Sequence, residues 1–355
     1  LIYRAYYAFI KQPRINSKGE NTSAIFGFIN TLEDLIKREN PSHLAVCFDP
    51  HGPTFRHEAY EQYKAQREET PEVIRWSVPL IKEVVKAYRI PLIEVAGFEA
   101  DDVIGTMAKL AEEKGFKVFM MTPDKDCGQL VTPGTFLYKP KYGSGEFDVM
   151  GPEEVNKRYG INHPKQIIDL LGLMGDSSDN IPGCPGVGEV TAKKLLAEYG
   201  SIDHLLANTE SLKGKLKEKI EANIDLIKFS KFLATIRTDV PLTFDETALL
   251  REQPDMEQLT PLFERLEFRT LINRVGKTQP VNASQDVHPS TATKPNPSNQ
   301  PNLFSDEEPL QQKNKTNELV WNEPNLFNQG EPNLFDQGQP ASTNQGASCT
   351  FVENT

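Results

Sequence analysis

Four short clusters of acidic residues follow apolar segments in the first half of this chain. They are Asp49; Glu99, Asp101 and Asp102; Asp124 and Asp126; and Asp176 and Asp179. Burying so many like charges together is costly unless a cation neutralises them. Sites built from carboxylates alone suit hard ions such as Mg2+ or Mn2+, and sites with two such ions commonly hydrolyse phosphodiesters. The pattern therefore predicts a site for two or more divalent ions.

The apolar segments alternate between helix and strand patterns. Helical spacing is predicted over 24–39, 72–89 and 99–113, and strands over 44–48, 92–95 and 117–121. This alternation predicts an α/β fold with a parallel sheet, whose functional edge lies beyond the carboxyl ends of the strands. The first three acidic clusters fall at that edge. Residues 136–149 are expected to form a hairpin that turns at 142–145.

The composition changes along the rest of the chain. Short helices are expected over 152–228, and one amphipathic helix over 257–274. Residues 277–355 are rich in Asn, Gln, Pro, Ser and Thr and are expected to be disordered. They repeat the sequence Pro-Asn-Leu-Phe at 301–304, 324–327 and 332–335. The formal net charge is −11, of which −5 lies from residue 276 onward, so the acidic total does not exclude nucleic acid as a partner.

Each acidic cluster has a simpler explanation when it is taken alone. Asp101 and Asp102 could complement the dipole of a helix whose cap is Glu99. Asp124 and Asp126 follow Pro123 and could belong to a turn, and residues 176–180 could be an ordinary polar loop. The clusters taken together favour metal binding.

A glycine-rich segment follows the last acidic cluster. Gly183, Gly186 and Gly188 precede a helix predicted over 189–199. Glycines let backbone N–H groups approach a phosphate at a helix amino terminus. The segment is typical of a helix–hairpin–helix module that holds the DNA backbone without reading bases, and Lys193 and Lys194 would add positive charge. The alternative is an ordinary loop before a helix.

Basic and aromatic residues alternate over 55–67. This pattern suits phosphate contact and base stacking, and Tyr3 and Arg4 could extend the same surface. The alternative is a solvated helix face. The four cysteines form no CxxC pair, which predicts a reducing cytoplasm without disulfides or zinc. No apolar segment approaches the roughly 18 residues that a membrane span needs.

The motifs occur in the order typical of one family. They are Phe48-Asp49, residues 55–60, Tyr63-Lys64-Ala65-x-Arg67, residues 99–102, 122–126 and 175–183, and Gly186-Val187-Gly188. Together they resemble the 5′-nuclease, or 5′-3′ exonuclease, domain of bacterial DNA polymerase I in the flap endonuclease superfamily. The resemblance covers about residues 1–275. It implies a PIN-like α/β nuclease core over 1–150, a helical helix–hairpin–helix DNA-binding subdomain over 151–275, and a disordered polar linker over 276–355.

The resemblance also implies roles for individual residues. Metal ions would be bound by Asp49, Glu99, Asp101, Asp102, Asp124, Asp126, Asp176 and Asp179. Arg4, Lys64 and Arg67 would be catalytic, and DNA would contact Tyr3, Arg56, Gly183, Gly186, Gly188, Lys193 and Lys194. The cofactors would be two or more Mg2+ or Mn2+ ions, with K+ at the glycine hairpin. This family opens with a central strand that ends in a further Asp, and the sequence lacks both, so we expect a fragment without its first strand.

The function implied is a structure-selective 5′-3′ exonuclease and 5′-flap endonuclease, without polymerase activity in this chain. Its substrates would be DNA with 5′ flaps, nicks or RNA primers, in Okazaki fragment processing and repair. We expect a monomer in the bacterial cytoplasm, associated with the nucleoid. Two alternatives are a branched-DNA-binding module that does not cut, and a metal-dependent phosphatase or nucleotide hydrolase. Gln300-Pro301-Asn302-Leu303-Phe304 also resembles peptides that bind the bacterial sliding clamp.

Overall fold

A six-stranded sheet lies at the centre of the fold in the computed structural model, which describes residues 1–140, 147–275 and 348–354. The strands are β1 (His43–Phe48), β2 (Leu92–Ile93), β3 (Lys117–Met121), β4 (Thr135–Pro140), β5 (Phe147–Met150) and β6 (Ser348–Asn354). Their order is β2-β1-β6-β3-β4-β5, and all neighbours are parallel except β4 and β5. Every residue of β1 is buried, as expected for a parallel strand that is covered on both faces.

Strand β6 occupies a central position in the sheet. It pairs with β1 on one side and with β3 on the other. One expectation therefore needs correction, since residues 348–354 form a strand although 276–355 was expected to be disordered. The physical reason is the pairing that β1 and β3 offer to a segment that contains Thr350, Phe351 and Val352. The Pro-Asn-Leu-Phe repeats and the turn at 142–145 lie outside the described residues.

Helices cover both faces of the sheet, because alternate residues of a strand point to opposite sides. The helices of the first part are α1 (Ile2–Ala8), α2 (Ser23–Glu39), α3 (Phe55–Ala59), α4 (Glu72–Ala87) and α5 (Ala100–Glu113). Those that follow β5 are α6 (Pro152–Tyr159), α7 (Gln166–Met174), α8 (Glu189–Tyr199), α9 (Ile202–Ala207), α10 (Gly214–Ala222), α11 (Ile224–Ala234), α12 (Glu246–Leu249), α13 (Met256–Leu266) and α14 (Arg269–Val275). Leu44 and Val46 pack with α2, α4, α13 and α14, whereas Ala45 and Cys47 pack with α5. Among the helices described, none combines the length and the apolar character that crossing a bilayer would require.

Most predicted helices and strands are confirmed within a few residues, but the helix expected over 257–274 is wrong. It is broken between α13 and α14, where Glu267 adopts a left-handed conformation with φ 62°. The break turns Phe268 into the core, where it contacts the rings of Phe26 and Phe263. The gain from burying this ring offsets the unfavourable conformation of Glu267.

Candidate active site

Seven carboxylates lie around the carboxyl ends of β1 and β3, and we call them the carboxylate edge. They are Asp49, Glu99, Asp101, Asp124, Asp126, Asp176 and Asp179. Direct contacts link several of these segments. Asp49 Oδ1 accepts a hydrogen bond from the Ala100 backbone N–H at 2.7 Å, and Asp101 Oδ1 accepts one from Cys127 Sγ at 3.1 Å. The edge of the sheet and the amino-terminal turn of α5 therefore form one site.

Lys64 and Tyr63 join two of the acidic segments. Lys64 Nζ lies 2.7 Å from Glu99 Oε1 and 3.7 Å from Asp179 Oδ2. The Tyr63 hydroxyl donates to both carboxylates, at 3.0 Å to Glu99 and 3.1 Å to Asp179. Burial by itself would raise the pKa of Glu99 and Asp179, but Lys64 and neighbouring guanidinium groups hold both pKa values below their ordinary range. These two carboxylates are thus ionised.

The other carboxylates are less well compensated. Lys125 Nζ pairs with Asp176 Oδ2 at 3.1 Å, and Asp124 Oδ1 accepts the Asp126 N–H at 2.7 Å. Burial and the nearby Asp124 raise the pKa of Asp126 well above the ordinary aspartate value. Asp49 is exposed at the mouth of the site, yet desolvation by the protein around it also raises its pKa. Ionising Asp49 and Asp126 is therefore less favourable than ionising an aspartate in water.

Tight backbone contacts fix the segment that carries Asp176 and Asp179. Asp176 and Ile181 exchange two backbone hydrogen bonds, at 3.0 and 2.8 Å. Their flanking glycines lie so close that a Cβ on Gly183 would be 2.3 Å from the Gly175 nitrogen. Both glycines also have positive φ angles, of 76° and 62°, which side chains disfavour. The two ends of the loop over 176–181 are thus held together by the backbone.

The basic segment at 60–67 is docked on this loop. Lys64, in a left-handed conformation with φ 56°, donates its backbone N–H to the Asp179 carbonyl at 3.0 Å. Asn180 Nδ2 donates to the Gln62 carbonyl at 2.7 Å, and Gln66 Nε2 to the Ser177 carbonyl at 2.6 Å. A left-handed non-glycine residue costs energy and persists only where its surroundings fix it, which is common at functional sites.

The carboxylate edge suits a hard divalent cation by its chemistry. Its donors are all oxygens, and burial, with neighbouring carboxylates, raises the pKa of Asp49 and of Asp126, which disfavours their ionised forms when no cation is bound. Within the described ranges, however, no group of three or more Asp, Glu, His or Cys side chains already converges as a metal cage. Lys64 and Lys125 lie among these oxygens and neutralise part of their charge.

The structure contradicts the expected roles of Arg56 and Asp102. Arg56 was expected to contact DNA but is only 2% exposed, and Asp102 was expected to bind metal but is fully buried. The Arg56 guanidinium binds both Asp102 oxygens, at 2.7 and 2.8 Å. These oxygens also accept the backbone N–H groups of Glu99 and Arg237. With its donors and acceptors satisfied inside the protein, the pair is closed to metal and to DNA.

The glycine hairpin lies between α7 and α8, as predicted, but its glycines differ in role. Gly183 was expected to contact DNA, and the structure contradicts this because Gly183 is buried and its N–H donates to Ser230 Oγ at 2.9 Å. Gly186 and Gly188 are exposed, and a Cβ on Gly188 would meet nothing within 4 Å. Lys219 Nζ lies 3.3 Å from the Gly186 carbonyl oxygen, so this carbonyl already faces a cation.

The remaining candidate residues lie at or near the surface. Lys194 is exposed on α8, whereas Lys193 pairs with Glu189 at 2.6 Å. Arg67, with a side chain 49% exposed, pairs with Asp179 at 2.7 Å. Arg4 and Tyr3 are half-buried on α1, and the Tyr3 hydroxyl donates to Thr70 Oγ1 at 3.0 Å, which places α1 beside the segment that follows Arg67.

Sequence reasoning missed three residues of the site. Tyr63 and Lys125 contact the carboxylate edge, and Lys219 contacts the hairpin. Two of them had a signal in the sequence, since Tyr63 precedes Lys64 and Lys125 lies between Asp124 and Asp126. Lys219 had none, because it reaches Gly186 from a helix that lies 33 residues further along the chain.

Most of the chain matches known protein families and relatives. Residues 1–160 match the 5′-3′ exonuclease N-terminal resolvase-like domain, and residues 162–257 match the 5′-3′ exonuclease C-terminal SAM fold. DNA polymerase I of Bacillus subtilis is 43% identical over 284 residues, which are 79% of this chain and 32% of that protein. DNA polymerase I of Thermus thermophilus is 41% identical over 277 residues, 78% of this chain and 32% of that protein. The chain thus spans about a third of the length of these relatives.

Solved structures show the same fold at low sequence identity. The bacteriophage T5 5′-exonuclease with bound zinc superposes with a TM-score of 0.56 at 19% identity, covering 75% of this chain and 95% of that one. The catalytic core of Rad2 in complex with a DNA substrate has a TM-score of 0.51 at 22% identity, covering 75% of this chain and 88% of that one.

Proposed function

Because the chain belongs to the 5′-3′ exonuclease family, we propose that it is a structure-selective nuclease that depends on divalent metal ions. Its activities are 5′-3′ exonuclease and 5′-flap endonuclease, on DNA and on RNA primers. The observation that carries the proposal is the convergence of carboxylates from four acidic segments at one edge of the sheet, beside a basic segment docked on the loop of Asp176 and Asp179. A binding module without cleavage would need neither the converging carboxylates nor the fixed loop.

The carboxylate edge would hold the metal ions, which we propose to be two or more Mg2+ or Mn2+ ions. Its ligands are drawn from Asp49, Glu99, Asp101, Asp124, Asp126, Asp176 and Asp179. Bound ions of this kind activate water and stabilise charge on the phosphate. Lys64 and Arg67 hold positive charge at the same edge through Glu99 and Asp179, and together with Arg4 they would contact the phosphate of the substrate.

The hairpin would hold the duplex part of the substrate. The backbone at Gly186 and Gly188 is open, and α8 begins directly after Gly188, so its free N–H groups can bind a phosphate. Lys193 and Lys194 would add positive charge there, and Tyr3 would lie against the DNA near Arg4. The ammonium of Lys219 at the Gly186 carbonyl supports our proposal that this oxygen binds K+ when DNA is present.

The wider context is also proposed. The relatives named above are DNA polymerases I, and the fold neighbours include the catalytic core of Rad2 in complex with a DNA substrate. We propose that the chain acts as a monomer on 5′ flaps, nicks and RNA primers during Okazaki fragment processing and repair, in the bacterial cytoplasm near the nucleoid. Gln300-Pro301-Asn302-Leu303-Phe304 would recruit it to the sliding clamp. Fluorescence anisotropy with a peptide of residues 296–308 tests this, and a lack of saturable binding to the clamp refutes it.

Cleavage of a 5′-labelled flap duplex by Asp124→Asn tests the nuclease proposal. Asn keeps the oxygen that accepts the Asp126 N–H, so the turn is preserved while a ligand charge is lost. Because ion coordination contributes several kcal/mol, we expect cleavage in Mg2+ to fall at least about 100-fold. Flap affinity measured in Ca2+ should stay within about threefold of wild type. Asp245→Asn is the control, since Asp245 also accepts backbone N–H groups but caps α12 at an exposed position.

Two outcomes would contradict the proposal. If Asp124→Asn cleaves as fast as wild type, the metal assignment of that cluster fails. If the wild-type chain binds the flap with no cleavage in either Mg2+ or Mn2+, the alternative of a branched-DNA-binding module is favoured.

A further inference from the structure

Arg56 and Asp102 form an ion pair that is closed off from solvent. Arg56 is 2% exposed and Asp102 is 0% exposed. The two guanidinium nitrogens Nη1 and Nη2 face the two carboxylate oxygens in a fork, at 2.7 and 2.8 Å. Such a fork fixes orientation as well as distance, because both groups are planar.

The pair joins three segments that are far apart in the sequence. Arg56 comes from α3, and Asp102 from the first turn of α5. Arg56 Nε donates to the Leu233 carbonyl at 2.9 Å, and Nη2 to the Thr235 carbonyl at 2.7 Å. Asp102 Oδ1 accepts the Arg237 N–H at 2.7 Å. The pair thereby ties the end of α11 to the start of α5.

The start of α5 carries two of the proposed metal ligands. Asp102 Oδ2 accepts the Glu99 N–H at 3.1 Å, which fixes the cap of α5, and Nη1 of Arg56 lies 3.2 Å from Glu99 Oε2. Helix α11 packs against α7, which leads through Gly175 into the loop of Asp176. The pair therefore links the start of α5, through α11 and α7, to the segment that carries Asp176.

We propose that Arg56 and Asp102 are positioning residues for divalent-ion binding, which rests on the proposed function. They neither bind the ion nor touch DNA. They orient Glu99 and Asp101 at the start of α5 and hold them in register with the part of the chain that carries Asp176 and Asp179. Partners that orient metal ligands in this way typically change metal affinity 10- to 100-fold when they are mutated.

The test compares Asp102→Asn with Glu33→Gln by Mn2+ titration followed by electron paramagnetic resonance, and thermal melting shows whether each variant is folded. Glu33 is the control because it is also a buried carboxyl, 8% exposed, but it lies on α2, which carries no residue of the carboxylate edge. We expect Mn2+ affinity to fall about 10- to 100-fold in Asp102→Asn and to stay within about twofold in Glu33→Gln.

Arg56→Lys keeps the positive charge but loses the two-pronged contact with Asp102, and it replaces Asp102→Asn in the test if that variant does not fold. We expect it to weaken Mn2+ binding as well, because a single ammonium cannot fix the orientation of Asp102. Wild-type Mn2+ affinity in a folded Asp102→Asn or Arg56→Lys chain overturns the proposal, and so does an equal loss in Glu33→Gln. A wild-type chain that binds no Mn2+ refutes the proposed function instead, and the positioning role then fails with it.

Discussion

The close approach of Gly183 to Gly175 gives a quantitative expectation for Gly183→Ala. A Cβ at this position would lie 2.3 Å from the Gly175 nitrogen and 2.6 Å from the Met174 carbonyl carbon, both of them backbone atoms that cannot rotate away. Gly183 also has a φ of 62°, which costs an alanine about 1–2 kcal/mol. Forcing the two backbone segments apart adds about 1–3 kcal/mol. We therefore expect a loss of about 2–5 kcal/mol in the free energy of unfolding.

Two other glycines of the same region separate these contributions. Gly160 has a φ of 64° and a ψ of 43°, and a Cβ added there would meet only the Lys193 side chain, no closer than 3.6 Å, so Gly160→Ala should lose only the conformational cost of about 1–2 kcal/mol. Gly188 has a φ of −93° and open space, so Gly188→Ala should lose about 1 kcal/mol or less.

Thermal melting by circular dichroism measures the series. At about 2–4 °C per kcal/mol for a domain of this size, Gly183→Ala should melt about 4–20 °C below wild type, and Gly160→Ala about 2–8 °C below. Guanidinium titration gives the same free energies independently. If Gly183→Ala and Gly160→Ala lose equal stability, the backbone contact at the base of the Asp176 loop is not as close as these distances require.

Two further expectations concern charge and the sheet. Because burial and Asp124 raise the pKa of Asp126, this carboxyl binds a proton more readily in the folded chain without metal than in the unfolded chain, so its contribution to stability should be lost as pH rises from the ordinary aspartate range through the raised pKa. Asp126→Asn should then raise the melting temperature in EDTA at pH 7, and a lower melting temperature would contradict this charge balance. Truncation after residue 347 removes β6 from between β1 and β3, so we expect cooperative melting to be lost or shifted far downward. Phe351→Pro should have the same effect, because proline removes a backbone hydrogen-bond donor from this central strand. Unchanged melting of both chains would show that β6 does not hold the sheet together.

The parts of the fold that local pattern determines were predictable. The continuous apolar sequences of β1 and β3 predicted both strands, because a strand buried on both faces has such a sequence. They also predicted the edge of the sheet at which Asp49 and Asp124 lie. The helix at 100–113 was equally visible from its spacing and from the acidic residues of its first turn.

The roles that depend on distant contacts were not predictable. Arg56 lies between aromatic and basic neighbours and was expected at the surface, yet its partners Leu233 and Thr235 are 177 and 179 residues away. Gly183 was expected to face DNA, but its N–H is bound by Ser230 from α11. The central strand β6 comes from a polar segment whose composition predicts disorder, because pairing with β1 and β3 has no local signal.

The most direct test of the metal assignment is a crystal structure with Mn2+, with the ions located by anomalous scattering. We expect peaks bounded by carboxylates from all four acidic segments, with Asp102 still bound to Arg56 and outside ligand distance. Peaks elsewhere in the chain, or a Mn2+ ion bound by Asp102, would contradict the assignment of the metal site to the carboxylate edge.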